Sequence, residues 1–217
     1  FADIYLSANQ QSNKLYLNKG NFKFEDITSA SGTANPGDWK TGVSMVDINQ
    51  DGWLDIYVCE VGEYKNINGR NKLYINNRNN SFTERAKEYG LDIVAFSTQA
   101  AWLDFDLDGD VDMYLLCHSV HSTDTYKDTA IRHSIDKLKG DKLFENQNGF
   151  FKDVSQETGI LSSPIGYGLG IAVSDFNNDL LPDLYIANDF HENDYLYINT
   201  GEKSFKQTQY QSFGHTS

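Results

Sequence analysis

The sequence predicts an all-β fold, a tandem series of four-stranded antiparallel units. Three observations predict it: an internal repeat, a fixed spacing within that repeat, and short aromatic and β-branched segments separated by Gly, Asn and Asp turns.

The repeat comes first. "VDINQDGWLDIYV" (46–58), "LDFDLDGDVDMYL" (103–115) and "SDFNNDLLPDLYI" (174–186) align without gaps, and "FADIYLS" at the start matches the second half of the same unit. Asp3, Asp55, Asp112 and Asp183 are each followed two residues later by Tyr5, Tyr57, Tyr114 and Tyr185. A companion motif follows each time, as "KLYLN" (14–18), "KLYIN" (72–76), "KLFEN" (142–146) and "YLYIN" (195–199). A phenylalanine stands five or six residues after each motif Asn, at Phe24, Phe82, Phe151 and Phe205.

Spacing separates scaffold from loop. From motif Asn to the next loop's first Asp the distance is 29, 28 and 29 residues, whereas from each Tyr to the next motif Leu it is 10, 16, 29 and 11. One connection takes up the length variation, as a surface loop does. Four strands are expected per unit: one before the acidic loop, one after it, one at the companion motif and a short one at the Phe. Segments such as "FTERAKEYG" also have the character of a helical turn, and 126–140 is the one stretch with marked helical character. Tandem units of about 50–60 residues imply blades of a β-propeller rather than a sandwich or solenoid. The expected division is a partial blade at 1–40, blades at 41–97, 98–165 and 166–212, and the start of another at 213–217. A piece of a longer propeller is the preferred reading over a small closed ring.

The acidic loop carries the chemistry. Counted from its first aspartate, Asp47, Asn49, Asp51 and Asp55 stand at positions 1, 3, 5 and 9, with Gly52 at 6 and Trp53 at 7. Asp104, Asp106, Asp108, Gly109, Asp110 and Asp112 repeat the pattern, and Asp175, Asn177, Asp179, Leu181 and Asp183 repeat it again. Oxygen donors at alternate positions suit Ca²⁺, with position 7 offering its carbonyl and position 9 closing the cage. Position 12 is Val58, Leu115 or Ile186 rather than Glu, which rejects an EF-hand. Eleven of the 31 acids lie in these loops, more than a solvated face requires. Two Ca²⁺ sites are expected, and a third, weaker one, because Leu180 replaces the glycine and strains or shifts that turn. The side chain of Asp110 is expected to lie outside its cage.

The net charge of −13 argues against nucleic acid as a partner, and no apolar run approaches 18 residues, so no membrane insertion is expected of this segment. Cys59 and Cys117 make no metal-binding pair. They are expected on opposite sheet faces, without a disulfide. Asn79 opens a glycosylation sequon.

These motifs resemble the FG-GAP/VCBS repeat family, which includes the integrin α-subunit propeller, and most resemble bacterial repeat proteins that also carry an ASPIC/UnbV domain. "MVDINQDGWLDIYV" and "WLDFDLDGDVDMYLL" fit its D-x-[DN]-x-D-G-x-x-D-[LIM] motif. The resemblance implies a propeller of about seven blades, Ca²⁺ between the first two strands of a blade, and an extracellular or cell-surface setting.

A protein or glycan ligand is expected on the opposite, variable-loop face. Candidates there are Trp39, Glu63, Tyr64, Arg70, His118, His121, His133, Asn188, Asp189 and His191. His118 and His121 with Asp124 also permit a zinc reading. The alternative function is enzymatic, as the propeller part of a secreted hydrolase or lyase with a site at 117–140. No nucleophile–base pair stands out, so the sequence leans away from an enzyme.

Overall fold

The computed structural model describes residues 1–120, 129–189 and 192–214. It contains one three-stranded and three four-stranded antiparallel sheets. The first sheet holds β1 (Ile4–Leu6), β2 (Lys14–Asn18) and β3 (Phe24–Asp26). The second runs β4 (Lys40–Val46), β5 (Asp55–Glu60), β6 (Lys72–Asn76), β7 (Phe82–Glu84). The third runs β8 (Ser97–Leu103), β9 (Asp112–Cys117), β10 (Lys142–Gln147), β11 (Phe150–Asp153). The fourth runs β12 (Gly168–Ser174), β13 (Asp183–Asn188), β14 (Tyr195–Asn199), β15 (Phe205–Gln207). Each four-stranded sheet is a meander whose strands pair in chain order, the arrangement of consecutive propeller blades.

Register explains the companion motif. Each motif Asn lies directly across from its Phe: Asn18 from Phe24, Asn76 from Phe82, Asn146 from Phe151 and Asn199 from Phe205. The shorter spacing at Asn146 comes from a two-residue turn, Asn148–Gly149, in which both residues have positive φ.

The outermost strands are short, and a helical turn follows three of them: α1 (Thr28–Ser31), α2 (Ser155–Thr158) and α3 (Gln209–Phe213). Strand and helical turn therefore both occur, one after the other. Phe213 closes α3, and 215–217 lie outside the described residues. Of the stretch 126–140, residues 126–128 lie outside the described residues, and the rest holds a short 3₁₀ turn, Thr129–His133, rather than an extended helix.

Blades stack face to face, so second strands are buried on both sides. All six residues of β5 and all six of β9 are buried. Tyr57, Cys59, Leu73 and Ile75 pack against Met113, Leu115 and Cys117 in one core, while Tyr114, Leu116 and Leu143 face Leu184, Ile186 and Tyr197 in the next. Cys59 and Cys117 do lie on opposite sides of their own sheets. Because those sheets are neighbours, the two opposite sides meet, and both free thiols share one core.

The innermost strands β4, β8 and β12 touch one another in sequence. At the variable-loop end, isolated bridges Val61–Phe96 and His118–Tyr167 tie adjacent blades together.

Candidate cation loops and the cavity at the opposite end

The three acidic loops share one backbone path. Oδ1 of the position 1 aspartate accepts the position 5 N–H, at 2.9 Å for Asp47 and 3.1 Å for both Asp104 and Asp175. Oδ2 accepts the position 6 N–H, from Gly52, Gly109 and Leu180. Position 3 (Asn49, Asp106, Asn177) also accepts from position 5, and the position 5 carboxylate accepts the N–H of Trp53, Asp110 or Leu181.

Leu180 therefore does not shift its turn. It takes the same left-handed conformation as the glycines, φ 71° against 86° for Gly52 and 94° for Gly109, with its side chain in solvent. A branched residue there costs on the order of 1 kcal/mol. Leu180→Gly is expected to stabilise the protein by about that amount, raising the melting temperature by about 2–4 °C in calorimetry. Position 4 is left-handed as well, at Gln50, Leu107 and Asn178, a feature that no glycine signals in the sequence.

Position 9 does two jobs. Asp55, Asp112 and Asp183 are buried at the start of the second strand. One oxygen accepts the N–H of the companion-motif Asn, at 2.7 Å from Asn76 and 2.8 Å from both Asn146 and Asn199. The other accepts the position 2 N–H, from Ile48, Phe105 and Phe176. The motif Asn returns its own amide to the position 8 carbonyl.

The second loop concentrates charge. Asp104, Asp106 and Asp108 bring one carboxylate oxygen each within 4.8 Å of one another, the one such acid group among the described residues. Asp110 stands outside that group, yet its Oδ1 is sealed from solvent and has no hydrogen-bond partner. Burial, with Asp108 and Asp106 close by, pushes the Asp110 carboxyl up to about 6. Burial pushes Asp112 up to about 7, against its two backbone N–H bonds. All-oxygen donors, crowded carboxylates and an orphaned buried oxygen fit a hard divalent cation. Asp112 stands outside the group of three, occupied with the backbone.

These shifts set a pH dependence for protein kept in a chelator. A carboxyl whose folded pKa is raised binds more protons folded than unfolded between about 4 and its folded value, so stability falls as pH rises through that window. With Asp110 and Asp112 titrating near 6 and 7, chelated protein should melt lower at pH 8 than at pH 5.5. Thermal melts across that range check it, and a rise in melting temperature toward pH 8 would contradict it.

Neighbouring side chains reach the loops. Arg78 of β6–β7 lies 3.0 Å from Asp51 Oδ2. Around the second loop the contacts come from both adjacent blades. Gln50 donates to the Gly109 carbonyl at 2.6 Å, and Asn199 donates to the Phe105 carbonyl at 2.8 Å. Lys203, in the β14–β15 turn, places its ammonium 2.5 Å from Asp106 Oδ2 and 2.8 Å from Glu145 Oε1.

At the other end of the same strands lies a cavity of about 380 Å³, open to solvent. Trp39, Val61 and Tyr64 come to it from the second sheet, Phe96 and His118 from the third, and Leu169 from the fourth. Tyr64 and Phe96 meet edge to face, and the His118 ring lies 3.7 Å from that of Tyr167. Burial lowers the His118 pKa, favouring the neutral ring. Of the sequence candidates, Trp39, Tyr64 and His118 thus converge. Arg70 instead pairs with Asp92 at 2.7 Å, and Asn188 is engaged with Tyr167 and Asn193. His133 lines a separate polar cavity of about 220 Å³ with Arg132 and Glu192. Asp189 donates its N–H to the Tyr167 carbonyl, next to His118. His121, His191 and Asp124 lie outside the described residues.

One device escaped the sequence reading. The residue before each companion motif, Asn13, Asn71, Asp141 or Asp194, hydrogen-bonds the repeat tyrosine: Tyr5, Tyr57, Tyr114 or Tyr185. Its Oδ1 also accepts a backbone N–H from Ala8, Glu60, Cys117 or Asn188. The signal was present as an invariant Asn or Asp at one repeat position. It fixes the end of the second strand, from which the cavity residues depart.

Residues 1–58 match the FG-GAP-like repeat model. The chain is similar to cartilage acidic protein 1: 27% identical over 191 residues in Mus musculus and 26% in Homo sapiens, covering 86% of this chain in both. It spans about a quarter of the length of these curated relatives, 26%. A solved structure of an Agrocybe aegerita lectin, titled for its specific recognition of non-reducing terminal N-acetylglucosamine, aligns at 13% identity with a TM-score of 0.34. That alignment covers 94% of this chain and 61% of the lectin.

Proposed function

Because residues 1–58 match the FG-GAP-like repeat model and the same motifs recur along the chain, we propose that it is an extracellular binding module. Its acidic loops hold Ca²⁺ as a structural ion, and its opposite face binds a protein or glycan ligand. The observation that carries the binding reading is the cavity at the blade junction, where aromatic side chains from separate sheets form one concave, largely apolar surface. Such sites, set on loops held by a rigid scaffold, are where recognition concentrates.

The calcium reading is supported by three loops that present oxygen donors on one shared backbone path. Bound Ca²⁺ would neutralise the carboxylates of Asp104, Asp106 and Asp108 and fix the turn into β9. The extracellular reading is supported by the likeness to cartilage acidic protein 1 and by the repeat type. Among the described residues no helix is long and apolar enough to cross a membrane.

Two measurements test the proposal. Chelation with EGTA should lower the melting temperature, and Asp108→Ala should lower it with a smaller further effect of EGTA. An unchanged melt on chelation would refute the calcium role. A glycan array together with a pull-down should identify binding that Trp39→Ala weakens while the fold is retained. Binding unaffected by both Trp39→Ala and Tyr64→Ala would place the ligand elsewhere.

A further inference from the structure

We propose that Lys203 is a built-in counter-cation of the 104–112 loop, lent by the neighbouring blade, and that it sets the affinity of that loop for divalent ions. The proposal rests on the calcium reading above and adds a regulatory residue to it. Asp106 has no exposed side-chain surface, yet it lies among carboxylates. Leaving it ionised there without a positive partner is costly. The partner is the Lys203 ammonium, carried across the blade boundary on a side chain that is otherwise in solvent.

The other loops handle position 3 and position 5 differently. In the first, Arg78 from the same blade pairs with Asp51 at position 5. In the third, the neutral Asn177 at position 3 donates to Asp179 at 2.8 Å. Only the second loop carries aspartate at positions 1, 3 and 5, and there the cation comes from another blade.

Glu145 completes the device. It holds the same ammonium at 2.8 Å while standing on β10, outside the loop. A divalent ion entering among Asp104, Asp106 and Asp108 repels Lys203, and Glu145 is the group that retains the ammonium when Asp106 releases it. Lys203 therefore stabilises the empty loop and opposes filling it, while Glu145 eases the exchange. Because Asn199 Nδ2 and Lys203 both reach this loop from the β14–β15 region, filling it also alters how the fourth sheet is held.

Calcium titration by calorimetry, with thermal melts in EGTA and in saturating Ca²⁺, tests the assignment. Lys203→Met keeps most of the stem and removes the charge. It should tighten calcium binding about three- to tenfold at low salt, with the gain shrinking at high ionic strength. It should also lower the melting temperature in EGTA more than in calcium. Glu145→Gln should weaken binding, and less so in the Lys203→Met background. Lys206→Met, the same charge change at an exposed position of β15, should leave affinity unchanged. If wild type binds calcium and Lys203→Met binds it equally or more weakly, the counter-cation role is overturned while the calcium reading stands. If wild type shows no calcium binding at all, both fall.

Discussion

Replacing Asp112 by alanine should destabilise the protein by about 2–4 kcal/mol, in the presence of a chelator as well as in its absence. The two oxygens of Asp112 accept the N–H groups of Asn146 and Phe105 at 2.8 and 3.1 Å in a buried setting. Removing the acceptor strands two buried donors, each worth about 1–3 kcal/mol. Release of a carboxylate whose burial raises its pKa offsets part of this loss. Asp112→Asn retains one acceptor and should cost about half as much. Urea unfolding in EGTA separates this role from ion binding: an effect that disappears on chelation would mean that Asp112 acts only through calcium.

The second large effect is expected at Gly42, where β4 passes close to β8. A Cβ there would meet the Thr98 carbonyl oxygen at 2.5 Å and the Gln99 Cα at 2.9 Å. Both obstacles are backbone, so no rotamer change relieves them, and the inner strands must separate. Gly42→Ala should cost about 1–3 kcal/mol, the range for overpacked sites. The repeat supplies its own control. Gly170 occupies the equivalent position five residues before its loop, and a Cβ there meets nothing within 4 Å. Gly170→Ala should be neutral or slightly stabilising. Equal effects at the two sites in denaturant titrations would refute the idea that blade approach decides them.

What the sequence made legible follows from locality. The tandem units, the antiparallel order, the Asn–Phe partnership and the shared loop pattern all lie within one repeat and recur in it. Contacts between repeats were not legible. Nothing near Lys203 in the chain points to Asp106, 97 positions earlier. Trp39, Tyr64 and His118 were singled out as residues of one face, but their convergence on a cavity depends on how the sheets stack. The left-handed conformation at position 4 was hidden at Gln50 and Leu107, whose side chains carry no mark of it, whereas Asn178 is of a type that favours it. The sealing of Asp110 was hidden as well, because alternation along a curled loop says which way a side chain starts, not whether its oxygen ends sealed from solvent.

The cysteine pair shows what stacking does to a correct local inference. Cys59 and Cys117 point to opposite sides of their own sheets, and so toward each other's blade. Both are buried, with their thiols held in the unreactive protonated form by burial. An alkylating reagent can reach them only while the two blades are parted. The seam thus contains its own clock: the rate of thiol labelling counts how often neighbouring blades separate, without any probe having to be introduced.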